Sequence, residues 1–378
     1  MTRIAFISTG LGLGGAEKML LKLVPGLRAL SFDPCVVSLR DVGPIGQQLR
    51  SQDVPVLAVD LPSVRSPIAM TMVVRRLRAW RPQVVQGWMY HGNVAAWASL
   101  PWLACRPPLV FGVRQSLFSL EHERPNTRLA IRWGARVSHR ADAIVYNSST
   151  ARRQHEEIGY AAKRAIVLPN GFDTEEFVPD ENARIAVRRE LGFDDNAPLV
   201  GLIARWHPMK DHATFLRAAA HVAAEVPSVR FLMAGTDVTA NNPGLRALVD
   251  ETGTGARVAL LGPREDIPRL NAALDVACLS SAYGDAFPNV LGEAMSCAVP
   301  CVSTDVGDTA DILGDTGVIV ARGNDGEFAA AVLRLLREGP DARSNRGVAA
   351  RTRVIERYSL KSVTTRYADL FRSLIVCV

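Results

Sequence analysis

Arg205 and Lys210 stand five residues apart in the segment Gly201-Leu202-Ile203-Ala204-Arg205-Trp206-His207-Pro208-Met209-Lys210-Asp211. The segment leaves an apolar strand and enters a loop, a position from which side chains line ligand clefts. A cation within about 4 Å of a phosphate oxygen contributes up to about 4 kcal/mol at an effective dielectric near 20. Two such cations could offset much of the charge that develops on a departing diphosphate. A second segment, Ser280 to Met295, also follows a strand and opens a helix. Asp285 falls in its loop, and Pro288 suits the first helical turn, so the amides of Asn289 and Val290 are expected to be free for an anion. Glu293 follows about one turn into that helix. Two carboxylates therefore flank a phosphate site, and a nucleotide diphosphate with a sugar at one end and a ribose at the other would use both. Taken singly, each feature has a plain reading as a solvated loop cation or a helix-face carboxylate. Their order on two strand-to-helix loops favours the site.

A metal could supply the same charge. The chain has no Asp-x-Asp pair, and its seven histidines show no ligand spacing. Cations and helix amides are the expected charge stabilisers, with neither metal nor cofactor.

Near the N-terminus, Gly10-Leu11-Gly12-Leu13-Gly14-Gly15 satisfies G-x-G-x-x-G between a strand and a helix. The match alone is weak. A dinucleotide site needs a carboxylate at the end of the second strand, where Asp33 comes too early and Asp41 late. An NAD-dependent oxidoreductase is one reading of this loop, and a tight turn is another. The third is that amides at the start of the Ala16 to Leu30 helix meet a phosphate or the reacting sugar.

The elements that must position these residues are short β-branched runs alternating with amphipathic helical segments, the pattern of parallel sheets with crossover helices. Seven strands are expected at Ile4 to Ser8, Val36 to Leu39, Val56 to Val59, Val84 to Gln86, Leu109 to Val113, Ala143 to Asn147 and Ala165 to Leu168. After the acidic stretch Gly171 to Asn182 the pattern restarts with Leu199 to Ile203, Val229 to Ala234, Val258 to Leu261, Val276 to Leu279, Pro300 to Ser303 and Gly317 to Val320. Two doubly wound α/β domains follow, with a cleft expected where their strand ends face each other.

Length and composition agree with this division. At 378 residues, 48% apolar and 22% charged, the chain exceeds what one core usually supports. The N-terminus MTRIAFISTG reads as a mature cytosolic start. The six cysteines, Cys35, Cys105, Cys278, Cys297, Cys301 and Cys377, form no C-x-x-C pair and are expected to be buried free thiols. Gln83 to Cys105 lacks formal charge, but polar residues interrupt it, and it reads as a strand, a polar turn and a packed helix rather than a membrane span. Charge is uneven: residues 1 to 175 hold 22 Lys/Arg against 12 Asp/Glu, and residues 176 to 378 hold 22 against 26.

With these motifs in place the chain resembles glycosyltransferase family 4, whose members have the GT-B fold. The likeness runs from Gly14-Gly15-Ala16-Glu17 through Leu168-Pro169-Asn170-Gly171-Phe172-Asp173 and the Arg205/Lys210 pair to Phe287-Pro288-Asn289-Val290. It implies a retaining, metal-independent enzyme of the lipopolysaccharide or exopolysaccharide type. Residues 1–175 would form the acceptor domain, with a helix at about 358–378 returning to it, and residues 176–357 the donor domain. The resemblance puts Arg205 and Lys210 on the diphosphate, Glu293 on the ribose, Asp285 on donor-sugar hydroxyls and Arg264 near the nucleobase. Gly14, Gly15, Phe287, Pro288, Asn289 and Val290 complete the donor contacts. Two positions depart from the family: Asp285 is a methylene shorter than the usual Glu, and Gln115 stands where many relatives have a histidine. An amide is no general base. His91, Arg114 and Gln115 are the acceptor-side candidates, His91 having an equally good structural reading.

Arg124, Arg128, Arg132, Arg136 and Arg140 recur every fourth residue beside Leu129, Trp133 and Val137. One reading is a solvated face with its apolar stripe on the core. The other is a surface for anionic lipid head groups or a pyrophosphate-linked lipid acceptor. Together these readings give a cytoplasmic enzyme peripheral on the inner face of the plasma membrane, taking a nucleotide sugar and a glycolipid or oligosaccharide acceptor, and no nucleic acid. The alternatives are the oxidoreductase above and a non-catalytic nucleotide-sugar-binding protein.

Overall fold

The computed structural model describes residues 1–59 and 67–376. The chain divides into two compact units, Met1–Gly171 with Leu360–Val378, and Phe172–Ser359.

The first unit is built on β1 (Thr2–Ser8), β2 (Phe32–Ser38), β3 (Val56–Ala58), β4 (Val84–Trp88), β5 (Leu109–Val113), β6 (Ala143–Tyr146) and β7 (Ala165–Val167). They form one parallel sheet in the order β3-β2-β1-β4-β5-β6-β7. β4, β5 and β6 are buried along their whole length, which is why they read as continuous apolar runs rather than alternating ones. β2 begins four residues earlier than its apolar run suggests. Pairing with β3 starts only at Val36, so over Phe32–Cys35 β2 is an edge strand where Pro34 is tolerated.

The helix Leu360–Val376 belongs to this first unit. It seats Val363, Tyr367, Ala368 and Phe371 in the core. The Phe371 ring meets Phe6 and Phe32 edge to face at 6.3 and 6.1 Å, and a side chain of this size contributes about 2–3 kcal/mol on burial.

The second unit contains β8 (Leu199–Ile203), β9 (Arg230–Ala234), β10 (Val258–Leu260), β11 (Val276–Leu279), β12 (Cys301–Thr304) and β13 (Val318–Val320). Its parallel order is β10-β9-β8-β11-β12-β13. In both sheets the strand order reverses once, between β1 and β4 and between β8 and β11. Loops at the carboxyl ends of those pairs splay apart and leave room for a ligand.

Four expectations need correction. The helix Met89–Ser99 starts directly after β4 with no polar turn between, so His91 lies in its first turn. Gly92 makes this possible, since a Cβ there would overlap the Ile7 carbonyl oxygen, and the buried Asn93 amide is satisfied by both the N–H and the C=O of Gly112 on β5. Second, Pro288 is the residue before the helix Asn289–Ser296, not part of its first turn. Third, Cys105 is exposed, while Cys35, Cys278, Cys297 and Cys301 are buried thiols; Cys377 lies outside the described residues. Fourth, the stripe beside the arginines is not all core. The helix Pro125–Val137 buries Ala130, Ile131, Gly134 and Val137, leaving Leu129 and Trp133 43% and 47% exposed. Arg140 falls beyond its end in a 3-10 turn. Among the described residues no helix is long and apolar enough to cross a membrane.

Candidate functional site

β8 delivers its chain to the exposed Arg205, a 3-10 turn at Pro208–Lys210, and then the helix His212–Glu225. Asp211 caps that helix in a left-handed conformation, φ +44°, accepting from the Thr214 N–H at 3.1 Å and its hydroxyl at 2.6 Å. This sharp turn sends Lys210 back across the strand ends. The Lys210 ammonium donates to both oxygens of Asp285, at 2.8 and 2.7 Å. The Ser281 hydroxyl donates to the same carboxylate at 2.6 Å. The two ionic side chains are only 12% and 13% exposed.

Lys210 and Asp285 follow β8 and β11, the strands flanking the sheet's switch point. The loops are joined at the backbone as well: the Ala282 N–H donates to the Met209 carbonyl at 2.9 Å, and the Ser280 hydroxyl to the Lys210 carbonyl at 2.8 Å. From β12, the Thr304 hydroxyl donates to the Ser281 carbonyl at 2.7 Å and the Asp308 N–H to the Ala286 carbonyl at 3.0 Å. Gly307, at φ +55°, lies so close beneath Asp285 that a Cβ would overlap its carbonyl oxygen. Three adjacent strand ends thus hold one carboxylate in place. Sequence reasoning missed Ser281, Thr304 and Gly307; the spacing of Ser281 four residues before Asp285 was the one local signal.

The other donor-side candidates divide. Glu293 is half-buried in the helix Asn289–Ser296, as are Asn289 and Val290 at its start. Phe287 and Pro288 are buried, and the Phe287 ring stacks on Phe172 at 6.0 Å and meets Tyr358 at 5.4 Å. The Phe287 ring is therefore core, and it anchors the loop. Arg264 is engaged: its guanidinium donates to Asp266 at 2.7 and 2.8 Å and to Glu190 at 2.9 Å. Hydrogen bonds from Arg264 hold the Asp266 carboxyl down at about 2, and the same bonds push the guanidinium up. His212, behind the Lys210 loop, is lowered to about 4, first by burial, though its Nε2 contact with the Ala204 carbonyl opposes the shift.

In the first unit, Gly14 and Gly15 open the helix Gly15–Ala29. Glu17 curls back over Gly14, so that a Cβ there would overlap its carboxylate. Burial raises the Glu17 carboxyl, while a bond to its own backbone N–H opposes the rise. The chain thus places its own anion at this helix start. Asp33 lies near the beginning of β2, and two residues past its end stands Arg40, packed against Gly10, with Asp41 only after it; among the described residues the end of β2 itself, Ser38, carries no carboxylate for a dinucleotide's ribose. Arg114 is buried within the unit. It donates to the Tyr367 hydroxyl at 2.7 Å and to the Asn170 side chain, and lies 4.9 Å over the Trp88 ring. Burial lowers its pKa despite these bonds, and its Nε has no partner among the described residues. Gln115 donates to Glu123 at 2.8 Å. His91 is half-buried. Among the described residues no group of three or more His, Cys, Asp or Glu side chains could hold a metal ion.

Comparison with known proteins places this geometry. The family described as Glycosyltransferase Family 4 matches residues 13–176, and that described as Glycosyl transferases group 1 matches residues 197–338. D-inositol 3-phosphate glycosyltransferases of Mycobacterium bovis and Mycobacterium tuberculosis are 34% identical over 221 residues, 56% of this chain and 45% of theirs. The chain spans about half the length of the curated relatives it matches. Among solved structures, Anabaena Alr3699/HepE in complex with UDP and glucose matches with a TM-score of 0.85 at 22% identity, covering 99% of this chain and 100% of that one. WaaG, a glycosyltransferase involved in lipopolysaccharide biosynthesis, matches with a TM-score of 0.71 at 16% identity, covering 97% and 99%. With two doubly wound sheets and both family matches in chain order, residues 13–176 form a Glycosyltransferase Family 4 domain, residues 197–338 a Glycosyl transferases group 1 domain, and the protein has the GT-B fold.

Proposed function

We propose that the chain is a retaining, metal-independent glycosyltransferase that moves a sugar from a UDP- or GDP-sugar to a glycolipid or polysaccharide-precursor acceptor in cell-surface glycan synthesis. The observation that carries this reading is the Lys210–Asp285 pair, steadied by Ser281 at the switch point of the second sheet. A diphosphate arriving there competes with Asp285 for the Lys210 ammonium and meets Arg205 in the same loop. As the sugar–phosphate bond breaks, these cations take up the charge that a metal would otherwise balance. Glu293 holds the ribose, and Asp285, released in part from Lys210, turns to the sugar hydroxyls. A carboxylate that accepts from an ammonium through both oxygens and from a hydroxyl is a weak nucleophile. Departure and attack on one face of the sugar, with retention, therefore suit the site better than a covalent intermediate on Asp285.

The Anabaena neighbour, whose structure is described with UDP-glucose, favours a UDP-sugar. The relatives acting on D-inositol 3-phosphate favour an acceptor that carries phosphate. On the acceptor side, Gln115 orients by hydrogen bonding and cannot serve as a base. The excess of Lys/Arg over Asp/Glu in residues 1–175 supports reading the enzyme as cytoplasmic and seated against the inner face of the plasma membrane.

The test is a thermal-shift panel of UDP-, GDP- and ADP-sugars in the presence of EDTA. Ligand at a hundred times its Kd stabilises the folded state by about 2.7 kcal/mol. UDP-glucose is expected to raise the melting temperature without added metal. If no sugar nucleotide does so, the donor reading fails; a rise that requires Mg²⁺ removes metal independence.

A further inference from the structure

The exposed side of the helix Pro125–Val137 combines two chemistries that a solvated surface has no need to combine. Leu129 and Trp133 stand 43% and 47% exposed, among Arg128, Arg132 and Arg136. These three arginines form no ion pair among the described residues. The apolar exposure continues on neighbouring segments. The helix Met89–Ser99 packs beside Pro125–Val137 and runs on to Trp102, 59% exposed, and the exposed Arg106. The helix Pro67–Trp80 also packs against Met89–Ser99, presents Arg75, Arg76 and Arg78 to solvent, and ties Arg78 to the Trp102 carbonyl at 2.7 Å. From Leu61 to Ala141 the sequence holds twelve arginines, no lysine, and two carboxylates, Glu121 and Glu123.

Single exposed apolar residues are ordinary. Here a leucine and two tryptophans lie inside a field of arginine nearly free of counter-charge. Guanidinium groups pair with phosphate oxygens in a two-pronged geometry, and tryptophan settles at the level of lipid head groups. We propose that this layer of three helices seats on a bilayer of anionic phospholipid, Leu129 and Trp133 entering the head-group region while Arg128, Arg132 and Arg136 bind lipid phosphates. A nucleic acid would satisfy the arginines and could stack on the tryptophans, but it offers Leu129 nothing. The proposal rests on the membrane contact read above and uses none of the donor-site chemistry.

Flotation of the full chain with vesicles tests it. The wild type is expected to float with phosphatidylcholine vesicles containing phosphatidylglycerol and not with phosphatidylcholine alone. Each surface arginine is worth roughly fivefold in partitioning, so replacing Arg128, Arg132 and Arg136 by Gln lowers it about a hundredfold. Leu129→Ser with Trp133→Ser is expected to lower it about tenfold or more, a loss that added salt does not mask. Melting temperature and the UDP-glucose shift serve as controls on all variants. Both are expected to be unchanged, because these side chains lie outside the donor site. The proposal is overturned if the wild type stays unbound, if the arginine variant floats like the wild type, or if the chain binds single-stranded DNA through these arginines without floating. A wild type that floats but gives no shift with any sugar nucleotide leaves the surface standing and removes the transferase reading instead.

Discussion

Replacing Lys210 with methionine keeps most of the side chain's unbranched stem and removes its ammonium, so Asp285 is left with one strong donor, Ser281. At 2.7 Å and an effective dielectric near 20, the gross attraction lost is about 6 kcal/mol. The desolvation that the pair no longer requires offsets part of that. The net loss on removing one member of a buried pair is about 3–5 kcal/mol, and the slight exposure of both side chains places it at the lower end. At roughly 2–4 °C per kcal/mol for a unit of this size, melting should fall by about 6–12 °C. Adding Asp285→Asn removes the orphaned charge, and the double variant should regain about 2 kcal/mol in a cycle measured by urea denaturation. Transfer from a nucleotide sugar should fall by orders of magnitude in both variants, because each lacks the cation proposed to face the diphosphate. Equal stability of the single and double variants would refute the claim that the buried ion pair sets the geometry. Activity near that of the wild type in Lys210→Met would refute its place on the diphosphate.

His155 and His212 both have pKa values near 4, each lowered first by burial, against an ordinary value near 6.5. The unfolded chain therefore takes up protons that the folded chain refuses. Their contribution is complete above about pH 6.5 and is lost as pH falls toward 4, by about 3 kcal/mol each at most. Denaturant midpoints at pH 7.5 and 5 should differ, and His155→Gln with His212→Asn should flatten that difference; an unflattened profile counts against these two residues as its source. Gly307→Ala should cost about 2 kcal/mol or more and weaken binding of the UDP-sugar, since its Cβ overlaps the Asp285 backbone. Gly323→Ala is the control, at φ +70° with open space around it, and should cost about 1 kcal/mol with binding intact; equal effects on binding would dissolve the role given to Gly307.

How much of this was legible in the sequence depends on the range of the interaction. β5, β8 and β11 begin and end where their apolar runs do, because burial on both faces writes a strand directly into composition. Arg205, Lys210, Asp285 and Glu293 could be singled out because each follows such a run at a strand end. Their relations could not be. Lys210 reaches Asp285 across 75 positions and Arg264 is taken by Glu190 across 74, and neither choice of partner leaves a trace in local spacing. Arg114 shows the same limit more sharply: read as an acceptor-side cation, it lies buried against Tyr367, 253 positions away. Periodicity likewise establishes that Leu129, Trp133 and Val137 share a stripe, but the side that faces the core is set by neighbours. Here Gly134 decides it, since a Cβ at that position would overlap the Tyr160 hydroxyl. The helix can approach closely only through its small residues Ala130 and Gly134, and that rotation turns Leu129 and Trp133 outward into the arginines. An exposed tryptophan on this helix is thus a consequence of close packing on its opposite side, and filling the Gly134 position would disturb the exposed surface of Leu129 and Trp133 without touching it.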